Sequence, residues 1–418
     1  MHNLLLADDH SMTDGIQRPP ATAQPPDTAA LLDAVAPRMY AEGVILLSGS
    51  WTRLVAPYSA LPGEEWTEVT AGEWTTRLIP GDVWIRWVRG TGKERRAVWT
   101  AEYDRMEPSV RNAPLLGPDA LSTARNLNAW TRATGWPWAG RPGMAGNSYL
   151  VNTWSTGEAP RWNGRLPAST WGPCEVPYKP GQWSRPCPAG HVPRGYDLNR
   201  AYLSALMNLE VAAECLEFRA GRHDFDAKRG GLWCVESCPW PASEPLPDPA
   251  GYGDVMPDGT RWLTTQTLVL LRQLEEAGRY GGFSVRSSYT APARRLFRPF
   301  ASLLRDIIAK GETPLPHAAK RVYQVTHGAW ERPGLIHRPD WYRATVAMAR
   351  VNLWRRMDQA FRTDKMIPLS IDTDCVTYPV PEGVGWAEGA PSAFTLDPEG
   401  VKLGAFKPYE KKPETETS

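Results

Sequence analysis

Short apolar runs in the first half of the chain predict β-strands, and one longer segment predicts a helix. The clearest strand candidates are residues 44–47 and 83–88, which are bounded by polar residues, Gly or Pro. Residues 119–134 have a helical pattern, and Gly135 marks the predicted end of that helix. Residues 140–195 are rich in Gly, Pro and Trp, so we expect an irregular connector there.

The second half of the chain mixes predicted strands and helices. The strand candidates are residues 192–198, 367–371 and 375–378. Helical patterns cover residues 201–209, 265–277, 297–308 and 346–360. We therefore expect an α+β protein.

Composition adds an expected domain organisation. The chain has 418 residues, 42% of them hydrophobic, which is enough for more than one domain. We expect a disordered tail over 1–35, a small N-terminal domain over 36–170, a second domain over 171–406 and a loose tail over 407–418. No apolar run is long enough to span a bilayer, no signal peptide is recognisable and the cysteines are scattered. These features predict a cytoplasmic protein without a membrane partner.

The near-neutral net charge limits how the chain can bind nucleic acid. The formal net charge is +1, so any contact with DNA must use local basic patches. Arg294, Arg295 and Arg298 form one patch, for which a phosphate contact and a solvated helix start are equally consistent interpretations. Irregular spacing makes only a weak zinc candidate of four cysteines: Cys174, Cys187, Cys234 and Cys238.

Two carboxylates, Asp372 and Asp374, lie two residues apart at a tight turn between apolar segments. At ~4 Å and an effective dielectric constant of ~20, such a pair repels by about 4 kcal/mol. A shared proton, a basic partner or a divalent cation must offset that repulsion, and hard carboxylate oxygens suit Mg²⁺. A polar hairpin turn without an ion is the alternative.

A third carboxylate, Asp197, ends another predicted strand, and a helix begins within a few residues. From that position it can meet the hairpin acids across a neighbouring strand. The alternative is that Asp197 or Asn199 caps the helix.

Lys320, Gln324 and His327 fall on one face of a further predicted helix. That row offers charge for a phosphate and a flat ring for a base and sugar. The alternative is a solvated helix face that ends at a glycine.

These three pieces, in this order, resemble the motifs of the family B DNA polymerases, most closely those of the protein-primed kind found in bacteriophages and linear plasmids. The first motif, Asp-x-Asn-Ser-Leu-Tyr-Pro-Ser, is matched at Asp197, Asn199, Tyr202 and Ser204. The second, Lys-x-x-x-Asn-Ser-x-Tyr-Gly, is matched at Lys320 and Gly328, with replacements at Gln324, Val325 and His327. The third, Tyr-x-Asp-Thr-Asp-Ser, is matched at Asp372, Thr373 and Asp374. Weaker likenesses at 178–181 and 401–404 extend the resemblance over residues 171–406.

The resemblance implies a polymerase palm, with an antiparallel sheet and packed helices, and short helical fingers. It also implies that Asp197 and Asp374 bind two Mg²⁺ ions, which Mn²⁺ can replace, with Asp372 in support. Tyr202 would exclude a 2′-hydroxyl. The other implied nucleotide-binding residues are Lys320, Gln324, His327, Arg305 and Lys310. The implied DNA-binding residues are Tyr178, Gly181 and Lys402.

Departures from the family pattern predict that some activities of the family are absent or weak. Residues 1–180 contain no Asp-x-Glu pair of the kind that opens the family's exonuclease domain. We therefore expect no proofreading and, from position alone, a degenerate exonuclease-like fold for the N-terminal domain. The sequence ends at Ser418, soon after Asp374, so we expect no thumb. Activity is then weak or dependent on a partner, either a priming protein or a protein that supplies a thumb.

The resulting prediction is a template-directed DNA polymerase that replicates mobile-element, phage or plasmid DNA. Its expected partners are a DNA template, a primer and deoxynucleoside triphosphates. The alternative is a polymerase-derived protein that binds DNA or a replication partner and has lost most of its synthesis. A third interpretation is a chance match of motifs in an unrelated α+β protein.

Overall fold

The structure is a computed structural model that describes residues 4–7, 27–36, 42–48, 52, 54, 67–78, 83–91, 96–106, 114–138, 140–154, 166, 170, 174, 181–251 and 255–409. The chain divides into two compact units. Unit 1 comprises Met1–Ser155 and Asp306–Thr326, and unit 2 comprises Thr156–Arg305 and His327–Ser418. Sheets and helices together confirm the predicted α+β class. Among the described residues, no helix is both long and apolar enough to cross a membrane.

Unit 1 is built on a six-stranded mixed sheet. Its strands are β1 (Leu4–Ala7), β2 (Glu42–Leu47), β3 (Thr67–Ala71), β4 (Trp74–Leu78), β5 (Trp84–Arg89) and β6 (Arg96–Glu102). The spatial order is β1-β2-β6-β5-β4-β3. Pairing is parallel from β1 to β2 and from β2 to β6, and antiparallel elsewhere. The strands predicted at 44–47 and 83–88 are confirmed as β2 and β5.

Helices of unit 1 follow local signals and core packing. The bounds are α1 (Thr28–Val35), α2 (Ala120–Thr134) and α3 (Pro142–Trp154), with a short 3₁₀ turn at Tyr103–Arg105. Helix α1 shares an apolar core with the indole rings of Trp74 and Trp87. Helix α2 begins after Asp119, whose carboxylate accepts a 2.6 Å hydrogen bond from the N–H of Ser122, and it ends at Gly135 with φ 71°. Both caps confirm the helix predicted from the sequence.

Helix α3 corrects the irregular connector predicted over residues 140–195. A Cβ atom on Gly143 would lie 2.9 Å from Val325 Cγ1, and one on Gly146 would lie 2.0 Å from Thr326 Oγ1. The glycines of α3 therefore permit a close approach of two helical segments within unit 1. Because glycine ordinarily weakens a helix, the local pattern predicted a loop, whereas tertiary packing favours the helix.

Parts of both predicted tails belong to regular secondary structure, whereas residues 8–26 and 410–418 lie outside the described residues. Within residues 1–35, Leu4–Ala7 forms β1 of the sheet and Thr28–Val35 forms α1. Within residues 407–418, the segment up to Tyr409 completes the strand Phe406–Tyr409. Both strands owe their structure to hydrogen bonds with distant strands, which composition does not report.

Unit 2 contains two sheets and the longest helix. Its strands are β7 (His191–Leu198), β8 (Val211–Ala212), β9 (Glu217–His223), β10 (Arg229–Ser237), β11 (Thr260–Thr264), β12 (Phe283–Arg294), β13 (Ser370–Asp372), β14 (Cys375–Pro381) and β15 (Phe406–Tyr409). The larger sheet has the order β11-β10-β12-β8, with β9 also paired to β12, and the smaller one has the order β13-β14-β7-β15. Every pair in the smaller sheet is antiparallel.

Helices occur throughout the second half of the chain, and the longest of them packs against the smaller sheet. The bounds are α4 (Ala201–Asn208), α5 (Thr265–Glu276), α6 (Arg298–Lys310), α7 (Leu315–Ala329) and α8 (Pro339–Asp364), of which α6 and α7 contribute residues to both units. Tyr196 of β7, Val376 of β14 and Phe406 of β15 share an apolar core with Leu353 and Trp354 of α8. That core holds the strands that carry the predicted acids.

Candidate active site

Four strands of the smaller sheet each bring one side chain into a row. Asp372 on β13 lies opposite Cys375 on β14, and Cys375 lies opposite Asp197 on β7. Asp197 in turn lies opposite Lys407 on β15. Directly opposed residues of antiparallel strands present their side chains on the same face of the sheet. That face therefore carries two carboxylates with a thiol between them and an ammonium group at one end.

The third carboxylate, Asp374, lies in the two-residue turn that joins β13 to β14. Its carbonyl oxygen accepts a 3.0 Å hydrogen bond from the N–H of Leu198, which ties the turn to the end of β7. Thr373, the other turn residue, has a φ of 56°, a strained conformation for a β-branched side chain. The Thr373 hydroxyl donates to Asp372 Oδ1 at 3.2 Å. These bonds hold the turn beside the row of acids.

The charges of the site cancel only in part. Lys407 Nζ lies 2.8 Å from Asp197 Oδ2, and the Asp197 side chain is 18% exposed. Burial, followed by the charge of Asp197, raises the pKa of Asp374 to about 6, and Lys407 opposes that shift. One lysine thus faces several carboxylates, and the remaining negative charge favours a cation at this place.

Two aromatic rings and an imidazole pack together next to the acids. The Tyr202 ring, on the first turn of α4, lies 4.4 Å from the His327 ring by their centroids. His327 is buried and stacks on Tyr342 at 6.0 Å with an interplanar angle of 18°. Burial, and then the charge of Asp374, raises the pKa of Tyr202, so its hydroxyl stays neutral. The neutral phenol ring of Tyr202 therefore adjoins the negative cluster.

The helix-cap alternative for Asp197 and Asn199 is wrong. The residue that precedes α4 is Arg200, which has a φ of 53° and makes no side-chain capping bond. Asn199 is buried, and its Nδ2 donates to Asp397 Oδ2 at 3.4 Å. The backbone N–H of Lys402 donates to the same Asp397 carboxylate. The side chain of Asp197 is thereby left to the row of acids.

The predicted nucleotide-binding residues are distributed over both units. In unit 2, Arg305 is exposed on α6 and His327 is buried on α7. Lys310, Lys320 and Gln324 belong to unit 1, where both lysines are exposed and Gln324 is half-buried. Their roles in binding remain predictions.

Two of the three predicted DNA-binding residues are described by the structure, and both are exposed. Gly181 lies in an exposed turn with a φ of 76°, and Lys402 is exposed before β15. Tyr178 lies outside the described residues. In the basic patch, Arg294 and Arg295 each face a glutamate, at 3.8 and 2.8 Å, so part of its charge is already balanced.

The donor set fits a magnesium site that uses few protein ligands. Asp197 and Asp374 supply hard oxygens, and their repulsion contributes to the raised pKa of Asp374. Within the described ranges, no three His, Cys, Asp or Glu side chains converge as a closed metal cage. Mg²⁺ commonly keeps water and substrate phosphates beside one or two carboxylates, so a closed cage is not required. The zinc candidate gains no support, because Cys174 and Cys234 are buried in an apolar cluster.

Lys407 is a site residue that sequence reasoning missed. It was assigned to a loose tail, yet it lies in register with Asp197 and forms an ion pair with it. The available signal was the alternation of Phe406, Lys407, Pro408 and Tyr409, which is typical of a short strand with one polar face.

Comparison with known proteins finds a similar fold but no similar sequence. No protein-family model and no curated protein matches the sequence. The fold is similar to that of Phi29 DNA polymerase complexed with primer-template DNA and incoming nucleotide substrates, with a TM-score of 0.51 and 13% identity over 87% of this chain and 75% of that chain. The Phi29 polymerase complexes with primer-template DNA alone and with single-stranded DNA give TM-scores of 0.49 and 0.48, at 11% and 12% identity, over 90% of this chain and 76% of theirs. The chain therefore has a polymerase-like α+β fold.

Proposed function

We propose that the chain is a template-directed DNA polymerase that joins deoxynucleotides by nucleotidyl transfer. The observation that carries the proposal is the convergence of Asp197 and Asp374 at the end of β7, where the charge of one raises the pKa of the other. A pair of repelling carboxylates destabilises a fold unless it binds something, and the fold is similar to that of a polymerase solved with DNA and nucleotide.

Magnesium is the proposed cofactor, with Mn²⁺ as a substitute. Asp197 and Asp374 would hold two ions, and Asp372, which is oriented by the Thr373 hydroxyl, would support them. When bound, such ions activate the attacking hydroxyl and offset the charge of the leaving pyrophosphate. Lys407 lies 2.8 Å from Asp197 and would orient this carboxylate and offset part of the negative charge of the site.

The Tyr202 ring forms the proposed floor for the incoming sugar. The Tyr202 ring packs on the buried His327 at 4.4 Å and lies near the charge of Asp374. In that position it would exclude a 2′-hydroxyl. Lys320, with Arg305 or Lys310, would bind the triphosphate, because Lys and Arg supply the charge that phosphate requires.

The proposed function also includes a biological role, a lack of proofreading and a dependence on partners. The chain would replicate mobile-element, phage or plasmid DNA and would not proofread. It would depend on a priming protein or on a protein that binds the primer-template duplex. The acceptor that becomes labelled in an incorporation assay distinguishes priming by a DNA strand from priming by a protein. A labelled primer with a mismatched 3′ end tests proofreading, since an exonuclease would shorten it.

Nucleotide incorporation is the deciding experiment. Purified protein is given a primer-template and a bare single strand, with deoxynucleotides and either Mg²⁺ or Mn²⁺. We expect extension that disappears in Asp374→Ala and persists in Asp258→Ala, the same change at an acid in a turn where it accepts a hydrogen bond from Thr260. Extension by Asp374→Ala at the wild-type rate would refute the assignment of the site.

The second candidate is a polymerase-derived protein that binds DNA and no longer synthesises it. The observation that favours it is the replacement of second-motif residues by Gln324, Val325 and His327. Silence of wild type and Asp374→Ala on every substrate, with DNA binding retained, would select this candidate.

A further inference from the structure

A cavity of about 400 Å³ in unit 2 is distinct from the row of acids. Helix α4 and helix α8 supply its polar lining, together with the turn at 403–404. The polar side chains are Ser204, Asn208, Asn352, Arg355, Arg356 and Gln359. Asn208, Arg355 and Gln359 are exposed, so the cavity is open to solvent.

The lining is rich in hydrogen-bond donors and contains no carboxylate. Arg355 donates to the side-chain oxygen of Gln273 at 3.0 Å, and Arg356 donates to the carbonyl of Ala393 at 3.4 Å. Both acceptors are neutral, and within the part of the chain that the structure describes no acid pairs with either guanidinium. The nearby acid on the same helix, Asp358, is already paired with Arg279 and Arg362. Two uncompensated positive charges therefore face one cavity.

The cavity lies on the opposite side of β7 from the acids. Leu198 lines it, whereas Asp197, the preceding residue of the strand, faces Lys407. Successive side chains of a strand point to opposite faces. A ligand in this cavity is consequently a different molecule, or a different part of one, from the nucleotide proposed to meet Asp197 and Asp374.

We propose that this cavity is a second, phosphate-binding site. Paired guanidinium groups present the planar fork that phosphate oxygens accept, and the carboxamides and the Ser204 hydroxyl add neutral donors. The volume of about 400 Å³ is sufficient for one nucleotide-sized ligand. The phosphate comes either from a free nucleotide or polyphosphate, or from the backbone of a nucleic acid.

Binding in the presence of a chelator tests the site without any catalysis. Without divalent cations the carboxylates of the candidate active site repel anions, so failure of the polymerase proposal leaves this measurement intact. The probes are inorganic tripolyphosphate, deoxyadenosine triphosphate and an oligodeoxynucleotide without terminal phosphates. The affinity for each is measured by titration calorimetry. We expect the double variant Arg355→Gln/Arg356→Gln to lose about tenfold or more in affinity, because each lost bond involves a charged group.

Two further variants distinguish loss of the site from loss of the fold. Arg362→Gln removes an arginine of the same helix that is paired with Asp358 and does not line the cavity, so affinity should be unchanged. Gln359→Glu places a carboxylate three and four residues after the two arginines, where ion pairs stabilise a helix. It should lower anion affinity by about tenfold while the midpoint of thermal unfolding is kept or raised.

The probes distinguish the two sources of phosphate. Loss of tripolyphosphate and nucleotide binding in the double variant, with oligonucleotide binding intact, assigns a free nucleotide or polyphosphate. Loss of oligonucleotide affinity, with a salt-dependence slope reduced by about 1 to 2, assigns a backbone contact. The proposal is overturned if wild type binds no probe, or if the folded double variant binds every probe as wild type does.

Discussion

Substitution of Asp374 by Asn should stabilise the protein in a manner that depends on pH. The change keeps the shape of the side chain and removes its charge. Burial and the charge of Asp197 raise the pKa of Asp374 from 3.8 to about 6 in the folded protein. Because the folded state holds the proton more tightly than the unfolded state, this contribution to stability is complete below about pH 4 and is lost as pH rises through about 6.

The shift sets the size of the effect. A rise of about two pKa units corresponds to about 3 kcal/mol of folding free energy at high pH. At pH 8 the Asn variant should therefore be more stable than wild type by up to about 3 kcal/mol, and near pH 4 the two should be equal.

Urea unfolding between about pH 4 and pH 8, in a chelating buffer, measures this difference. Asp258→Asn is the control of opposite sign, since hydrogen bonds from Thr260 lower the pKa of Asp258. Its stabilising contribution is present above the unfolded pKa and is lost as pH falls, so Asp258→Asn should be less stable than wild type at neutral pH. Added Mg²⁺ should stabilise wild type at pH 8 and have little effect on Asp374→Asn. A stability gap that does not change with pH would refute the reasoning.

Other residues of the site and fold lead to further expectations. Tyr202→Val should improve the use of ribonucleotides relative to deoxynucleotides by roughly tenfold or more in single-nucleotide incorporation, because the ring proposed to exclude the 2′-hydroxyl is gone; unchanged discrimination would contradict that role. Lys407→Gln removes the ion pair with Asp197, so urea unfolding at pH 7 should show a loss of about 1 kcal/mol that added Mg²⁺ restores; equal stability with and without the lysine would count against it. Gly146→Ala would place a Cβ 2.0 Å from a threonine oxygen and should lower the free energy of unfolding by about 1–3 kcal/mol, whereas Gly328→Ala, with open space around it, should be neutral or stabilise by about 0.5–1 kcal/mol. Similar behaviour of the two glycine variants would show that α3 does not depend on close packing.

Local signals in the sequence determined a good part of the fold. Caps at Asp119 and Gly135 define α2, and apolar runs define β2, β5, β7 and β14, because capping and alternation act between residues that are near in the chain. The same local logic identified the turn that carries Asp372 and Asp374 and the strand end that carries Asp197.

Tertiary structure alone decided which of these residues meet. The register of β7 with β14 and β15 places Lys407 beside Asp197, and no local pattern encodes hydrogen bonds between strands that far apart in the chain. The ring contact of Tyr202 with His327 depends in the same way on packing of distant helices. Helix α3 forms because its glycines fit against a partner segment, although their intrinsic preference opposes a helix. Periodicity thus specifies elements, whereas long-range pairing and close packing specify the chemistry that those elements bring together.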